Sequence, residues 1–175
     1  MKRLLDLFIA LCAASVLIVP ITLVAIAVRL TSKGPAIYWS DRVGRYNRIF
    51  KMPKFRSMRI DTPAVSTHLL GNPDQFLTPI GSFLRKSSLD ELPQLWSVIL
   101  GRLSLIGPRP ELPSLVKHYE ENISYYNIRH LIKPGLSGWA QLYGEHAHHG
   151  TSVDQTKNKL SYDLFYIKNR QWWLD

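Results

Sequence analysis

The chain has a single cysteine, Cys12, among its 175 residues. No internal disulfide can form, so a disulfide-stapled secreted scaffold is excluded. Without partner cysteines a zinc finger is excluded as well. Acidic residues are scarce: 13 Asp and Glu face 22 Lys and Arg, a formal charge of +9. That excess points to a polyanion, whether nucleic acid, anionic lipid or a phosphorylated substrate. No helix-turn-helix, zinc-finger or RNP-type pattern accompanies it, so the expectation is no nucleic-acid partner. There is no internal repeat and no low-complexity tract. A hydrophobic fraction of 46% excludes a disordered chain.

Mean hydropathy is −0.07, an average over very unlike segments. No charged residue falls between Leu7 and Val28. As a helix that run reaches about 33 Å, enough for a bilayer core of about 30 Å. Three readings compete. Lys2 and Arg3 ahead of the run, and Ala25-Ile26-Ala27 near its end, suit a cleaved signal peptide. However, the run exceeds the usual apolar region of such peptides, and Asp6 sits at its start. A straight span and a broken, re-entrant helix remain. Pro20 removes a backbone donor and clashes with the carbonyl four residues back, so it bends or breaks a helix. Thr22 and Ser15 are candidates to satisfy polar groups freed there. Lys2 and Arg3 precede the run and Arg29 and Lys33 follow it, and both ends favour the cytoplasmic side. A straight span must put one pair outside, whereas a re-entrant helix puts neither there. Spanning helices also carry proline and flanking cations, so the residues leave these two readings level.

Nine basic residues lie from Arg29 to Arg59, offset only by Asp41. Tyr38, Trp39, Tyr46, Phe50 and Phe55 interleave them, a composition that suits a lipid headgroup interface. Ala36–Trp39 and Arg48–Met52 read as strands around a turn at Gly44. Ile60–Thr78 reads as a loop, long enough to be a candidate lid. Ile80–Leu103 has helical spacing. Pro113–Ile132 reads as one amphipathic helix burying Leu115, Val116, Tyr119, Ile123, Tyr126 and Leu131. Gly135–Gly150 reads as loop and Val153–Lys168 as a last helix. Trp139 reads as packing, and Trp172-Trp173 suits an interface. The expected fold is α+β and mainly helical, with a short β-hairpin. Residues 1–29 form the membrane segment and residues 30–175 one domain.

The chemistry concentrates in Arg85-Lys86-Ser87-Ser88-Leu89-Asp90-Glu91-Leu92-Pro93. Ser88 and Glu91 have capping-box spacing, which predicts a helix starting near Asp90 with both acids at its positive end. Acids in a first turn are also ordinary helix stabilisers. Gly107-Pro108-Arg109-Pro110 holds an arginine between two prolines, on a stiff backbone with its fork preset for phosphate. A solvated surface turn is the bland alternative. These parts suit phosphoryl transfer. Arg85, Arg109, Lys54 and a divalent metal neutralise a diphosphate, and a carboxylate attacks phosphorus. That carboxylate must be ionised, which a helix N-terminus favours. A neighbouring carboxylate can bind Mg²⁺, which takes oxygen ligands and substrate phosphates. His146, His148 and His149 have weak metal spacing and read as a solvated loop.

Strings through nearly the whole chain resemble one family. They are Asp41-Arg42-Val43-Gly44-Arg45, Lys54-Phe55-Arg56-Ser57-Met58, the Arg85–Leu95 string, Ser104–Pro110, Lys133–Gln141 and Tyr162–Asn169, after an apolar segment with Pro20. In this order they resemble the bacterial sugar transferases that act as monotopic polyprenyl-phosphate phosphoglycosyl transferases. The resemblance implies transfer of a sugar 1-phosphate from a UDP-sugar to polyprenyl (undecaprenyl) phosphate, with release of UMP. It implies Asp90 as nucleophile through a covalent aspartyl phospho-sugar, Glu91 as its dyad partner, and Mg²⁺ at Asp90 and Glu91. It implies Lys54, Arg85 and Arg109 as phosphate-binding residues and Asp163 as a further site acid. It also implies a re-entrant first helix, a catalytic domain on the cytoplasmic face of the bacterial inner membrane, and contact with membrane lipid. A homo-oligomer stays open.

The chain departs from that pattern in places. Val19 stands where the family often has serine, and Arg102 follows Gly101 where an acid is usual. Gly144-Glu145 replaces a frequent Gly-Arg, and the sequence stops at Asp175, ahead of a segment that many members carry. These departures motivate an alternative: a catalytically impaired membrane-interface binding protein.

Overall fold

The computed structural model describes residues 1–63, 72–143 and 152–171. Helix α1 covers Lys2–Thr31 and runs through Pro20. The hydroxyls of Ser15 and Thr22 donate to the carbonyls of Leu11 and Ile18. Neither serves Val16, whose carbonyl Pro20 leaves without its donor. The helix is 30 residues long, about 45 Å. Only Asp6, Ala10, Val24 and Val28 on it are buried. Leu4, Phe8, Val16, Ile18, Val19, Leu23 and Leu30 are exposed, an apolar face without a protein partner among the described residues.

Both ends of α1 dock on the same domain. At the first turn, Arg3 donates to the carbonyls of Val98 and Ile99. Asp6 accepts from the Ser104 hydroxyl at 2.7 Å and from the Leu105 amide at 3.2 Å. At the last turn, the Arg56 guanidinium donates to the Lys33 carbonyl and to the carbonyl and hydroxyl of Ser32. These are charge-assisted bonds to carbonyls at and just past the helix end, which have no partner within the helix. Gly34 has φ +106°, and a β-carbon there would strike Arg56. Arg56 is therefore a buried clamp on α1 and not one of the lipid-facing cations.

Strands β1 (Ile37–Val43) and β2 (Ile49–Phe55) pair antiparallel around Gly44, longer than the sequence suggests but at the expected place. Two buried clusters line β2. Met52 packs with Ala10, Val98 and Leu103, and Phe55 packs with Val24, Val28 and Leu84. The hairpin thus carries both halves of α1. The expected helical stretch Ile80–Leu103 divides into α2 (Gly81–Lys86) and α3 (Gln94–Ile99). Ser88, in the left-handed region at φ 55°, and Pro93 separate them.

Strands β3 (Ser104–Ile106) and β4 (Gly135–Ser137) form a short parallel pair where the sequence reads as loop. Helix α4 is Pro113–Asn122 and a 3₁₀ turn follows at Tyr126–Leu131, so the expected single helix is two pieces. Tyr125 at φ 63° breaks the phase between them. Val116, Tyr119, Ile123 and Tyr126 are buried as expected, whereas Leu131 turns outward. Helix α5 (Trp139–Leu142) precedes α6 (Val153–Asn169), which starts with a Ser152–Gln155 capping box. Trp139 stacks on Tyr143, a packing role. The mainly helical α+β class with a hairpin holds, with the parallel pair added. His146, His148, His149, Glu145, the middle of the candidate lid and Trp172-Trp173 lie outside the described residues.

Candidate active site

Asp90 and Glu91 sit on a 3₁₀ turn, Leu89–Glu91, between α2 and α3. Ser88 makes no capping bond, and the Ser87 hydroxyl donates back to Phe83. The predicted capping box is therefore absent, and no long helix lends its dipole to the acids. What places them is the left-handed step at Ser88, a strained conformation for a residue other than glycine.

Glu91 is clamped. Lys54, on β2, donates to its Oε1 at 2.7 Å, and Arg109 meets both its oxygens as a fork. Burial pushes the Glu91 carboxyl up, but the Lys54 and Arg109 charges and hydrogen bonds overcome that and hold it at about 2. Burial pulls the Lys54 ammonium down, against the pull of Glu91. Arg109 is raised, because Glu91 outweighs its burial. Asp90, 8% exposed, is shifted the other way. Burial raises its carboxyl, Lys54 pulls it back, and the Glu91 charge adds to the rise. Arg85 lies close enough to lower it again, and its Nε donates to the Ser57 hydroxyl. Burial and neighbouring charge, not a helix end, set Asp90.

The structure thus brings Lys54, Arg85, Asp90, Glu91 and Arg109 together. Asp163 stands one step back. Buried on α6, it forms an ion pair with Arg129 at 2.9 Å. Arg129 donates to the Arg109 carbonyl at 2.8 Å and to the Tyr126 hydroxyl. The Gly135 amide donates to the Pro108 carbonyl at 3.0 Å. Arg109 therefore has its backbone held from two sides as well as by its prolines. Sequence reasoning missed Arg129, which reads as one more polar residue on a helix face. It also missed Arg42, whose guanidinium donates to the Pro110 carbonyl and lies within electrostatic reach of Glu91. Arg42 did carry a signal, since it belongs to the Asp41–Arg45 string.

Beside the dyad lies a cavity of about 250 Å³ lined by Leu17, Ser88, Glu91, Leu92, Leu95 and Leu136. Leu17 belongs to the middle of α1, so the cavity joins a carboxylate to the apolar helix. Arg102 is exposed in the turn beyond α3, at the far end of that helix from the dyad. The charge reversal there is not at the site.

The donor set bears on Mg²⁺. Among the described residues no group of three metal-ligating side chains gathers. Glu91 Oε1 already accepts from Lys54 and Arg109, and Oε2 faces Arg109. Asp90 accepts no side-chain hydrogen bond among the described residues. Mg²⁺ takes one or two carboxylates and completes its shell with water and substrate phosphate. The residues fit such an ion through Asp90, and not through Glu91 in this arrangement.

The family model described as bacterial sugar transferase matches residues 1–175. The chain is 37% identical over 174 residues to the UDP-N-acetylgalactosamine-undecaprenyl-phosphate N-acetylgalactosaminephosphotransferase of Aeromonas hydrophila, covering 99% of this chain and 40% of that protein. It is 41% identical over 153 residues to the UDP-glucose:undecaprenyl-phosphate glucose-1-phosphate transferase of Xanthomonas campestris pv. campestris, covering 87% of this chain and 31% of that protein. It is 36% identical to the exopolysaccharide production protein PSS of Rhizobium leguminosarum bv. phaseoli, covering 97% and 86%. The chain spans two-fifths or less of the length of the first two relatives. With a match running its full length, the chain belongs to the bacterial sugar transferase family.

Proposed function

We propose that this chain transfers a sugar 1-phosphate from a UDP-sugar to undecaprenyl phosphate, releasing UMP, through a covalent aspartyl intermediate. One observation carries the reading: the dyad divides its roles. Glu91 is locked between two cations and lines a cavity that reaches α1, and the adjacent Asp90 stands unclamped. Asp90 attacks the sugar-bearing phosphorus, the bond to the bridging oxygen breaks, and UMP leaves with that electron pair. An oxygen of the lipid phosphate then attacks the same phosphorus. Asp90 departs as a carboxylate and the sugar diphospholipid forms. Arg85, Arg109 and Lys54 offer positive charge to the phosphate oxygens, and Glu91 keeps Arg109 and Lys54 aimed. Mg²⁺ held at Asp90 and the donor's diphosphate would neutralise further charge.

The lipid reading rests on α1. A straight span would carry one end of a helix of about 45 Å away from the domain. Here Arg3 and Arg56 fasten both ends to it. That supports both ends lying on one side of the membrane, as in a monotopic protein. The basic flanks favour the cytoplasmic face of the inner membrane. Phe83 on α2, Trp96 on α3 and Leu100 just past its end are exposed like the apolar face of α1 and suit the same bilayer.

The purified protein in detergent, given undecaprenyl phosphate, Mg²⁺ and a panel of UDP-sugars, should release UMP with at least one of them. Asp90→Asn should abolish the release. Silence across the panel from folded protein would favour the impaired binding protein instead. Arg102, exposed and away from the dyad, lends that alternative no support.

A further inference from the structure

The cavity beside the dyad is polar at one end only. Ser88 and Glu91 line it from the Asp90 turn, and Leu17, Leu92, Leu95 and Leu136 make up the rest of its wall. The leucines come from α1, from the residue after the 3₁₀ turn, from α3 and from β4, so no single helix face accounts for them. A leucine wall offers no hydrogen-bond partner to a sugar hydroxyl or a nucleobase, and burying such groups against it is costly. Hydrocarbon meets no such cost. At the polar end, Lys54 and Arg109 bracket Glu91, so positive charge lies there. The other end runs into the exposed apolar face of α1: Val16, Ile18 and Val19, around Leu17, are all exposed.

We infer that this cavity holds the isoprene units next to the phosphate of the polyprenyl acceptor, while the rest of the tail leaves along α1. The inference rests on the proposed transfer to undecaprenyl phosphate and gives its acceptor a place. A phosphate at one end of a methyl-branched hydrocarbon chain has a polarity that runs the same way as the cavity's. Seating the chain against the leucines is favoured by the apolar area it removes from water. It leaves the phosphate beside Lys54 and Arg109 and next to Asp90, where it can attack the phospho-sugar on that carboxylate. The sugar and base of the donor then lie outside the leucine wall, so donor and acceptor reach one dyad from separate subsites. Leu136 ties the acceptor's subsite to Arg109, because its neighbour Gly135 holds the Pro108 carbonyl at 3.0 Å.

The two half-reactions separate donor from acceptor. Full-length protein in detergent, mixed with a UDP-sugar that it uses and no acceptor, should release one equivalent of UMP in a burst. Adding undecaprenyl phosphate should start turnover. Leu17→Trp and Leu136→Trp fill the cavity from two different elements. Each should lower kcat/KM for undecaprenyl phosphate about tenfold, the cost of returning roughly two methylene groups to water. Each should leave the size and rate of the burst as in wild type. Leu17→Met, of similar volume, should keep both. An unchanged melting temperature checks folding, and Leu17, half-buried on α1, can take the larger ring even if Leu136 beside Gly135 cannot. Acceptor kcat/KM unchanged in folded Leu17→Trp would overturn the subsite and leave a crevice filled by ordinary membrane lipid. A burst that shrinks or slows in that variant would give the cavity to the donor and overturn it as well. No burst from wild-type protein with any UDP-sugar would instead overturn the proposed reaction, and the subsite with it.

Discussion

Asp90 and Glu91 are adjacent in sequence and opposite in electrostatics. Glu91 is held at about 2 and stays ionised across the working range. Asp90 is raised by burial, and the proposed attack needs it ionised. Transfer should therefore rise with pH along an acid limb set by Asp90, shifted upward from an ordinary aspartate's by burial. Glu91→Gln removes a charge that raises Asp90 and frees Lys54 and Arg109 to lower it. The acid limb of kcat/KM should move to lower pH in that variant, even as the rate falls; a limb that stays in place would show that the clamp does not tune Asp90. Stability follows a different sign. Because the folded pKa of Glu91 is depressed, its contribution is present above about pH 4.5 and lost as pH falls toward about 2. That shift is worth on the order of 3 kcal/mol. The melting temperatures of wild type and Glu91→Gln should converge over that acid window. Arg109→Ala should cost about 100- to 1,000-fold in kcat, as loss of a charge-stabilising donor does. That Lys54, Arg85, Asp90, Glu91 and Arg109 belong together was legible through the order of the strings that carry them, because first-turn acids and an arginine in a turn are each ordinary when taken alone. The cause of ionisation was not legible. A Ser-x-x-Glu spacing looks the same whether Ser88 caps a helix or turns left-handed.

At the scale of elements, α6 supports the site through Arg129. Asp163 pairs with Arg129, which holds the Arg109 carbonyl, so α6 positions Arg109 without touching the dyad. Burial raises the Asp163 carboxyl while the Arg129 charge opposes it, and Arg129 stays firmly protonated. Arg129→Met should destabilise the fold by about 3–5 kcal/mol, because it strands Asp163 uncompensated. Adding Asp163→Leu should recover much of that in denaturant melts without restoring turnover. Recovery of both would mean that Arg129 does not position Arg109. The parallel pair β3–β4 has a similar role. A β-carbon on Gly135 would collide with the Gly107 backbone beside Pro108 and Arg109. Gly135→Ala should lower both stability and turnover. Neither arrangement could be read from sequence. Three-residue strands carry no periodicity, and the Asp163–Arg129 pair joins positions far apart in the chain. The hairpin was legible, since β-branched and aromatic residues flank a glycine turn there.

At the scale of the whole molecule, the net charge of +9 divides into distinct tasks. Lys54, Arg85 and Arg109 surround the dyad, and Arg56 and Arg3 fasten the two ends of α1. Composition shows the excess but not this division, because it depends on which cations the fold buries. The same limit applies to α1. Its length and hydropathy permit a span, and its flanking cations argue against one. The docking of both ends favours the proposed one-sided reading on physical grounds. Arg3 and Arg56 each make hydrogen bonds to backbone carbonyls that a transmembrane arrangement would have to break at one end. Charge-assisted bonds of this kind contribute about 1.5–3 kcal/mol each, so the one-sided state is favoured by several such bonds together. The topology can be checked in a Cys12→Ser background, with one cysteine placed ahead of Met1 and, in a second variant, Lys33→Cys. In intact spheroplasts a membrane-impermeant maleimide should label neither site, and after lysis it should label both. Labelling of one site alone in intact cells would mean that α1 spans the bilayer, and that the docking of its two ends on one domain does not persist in the membrane.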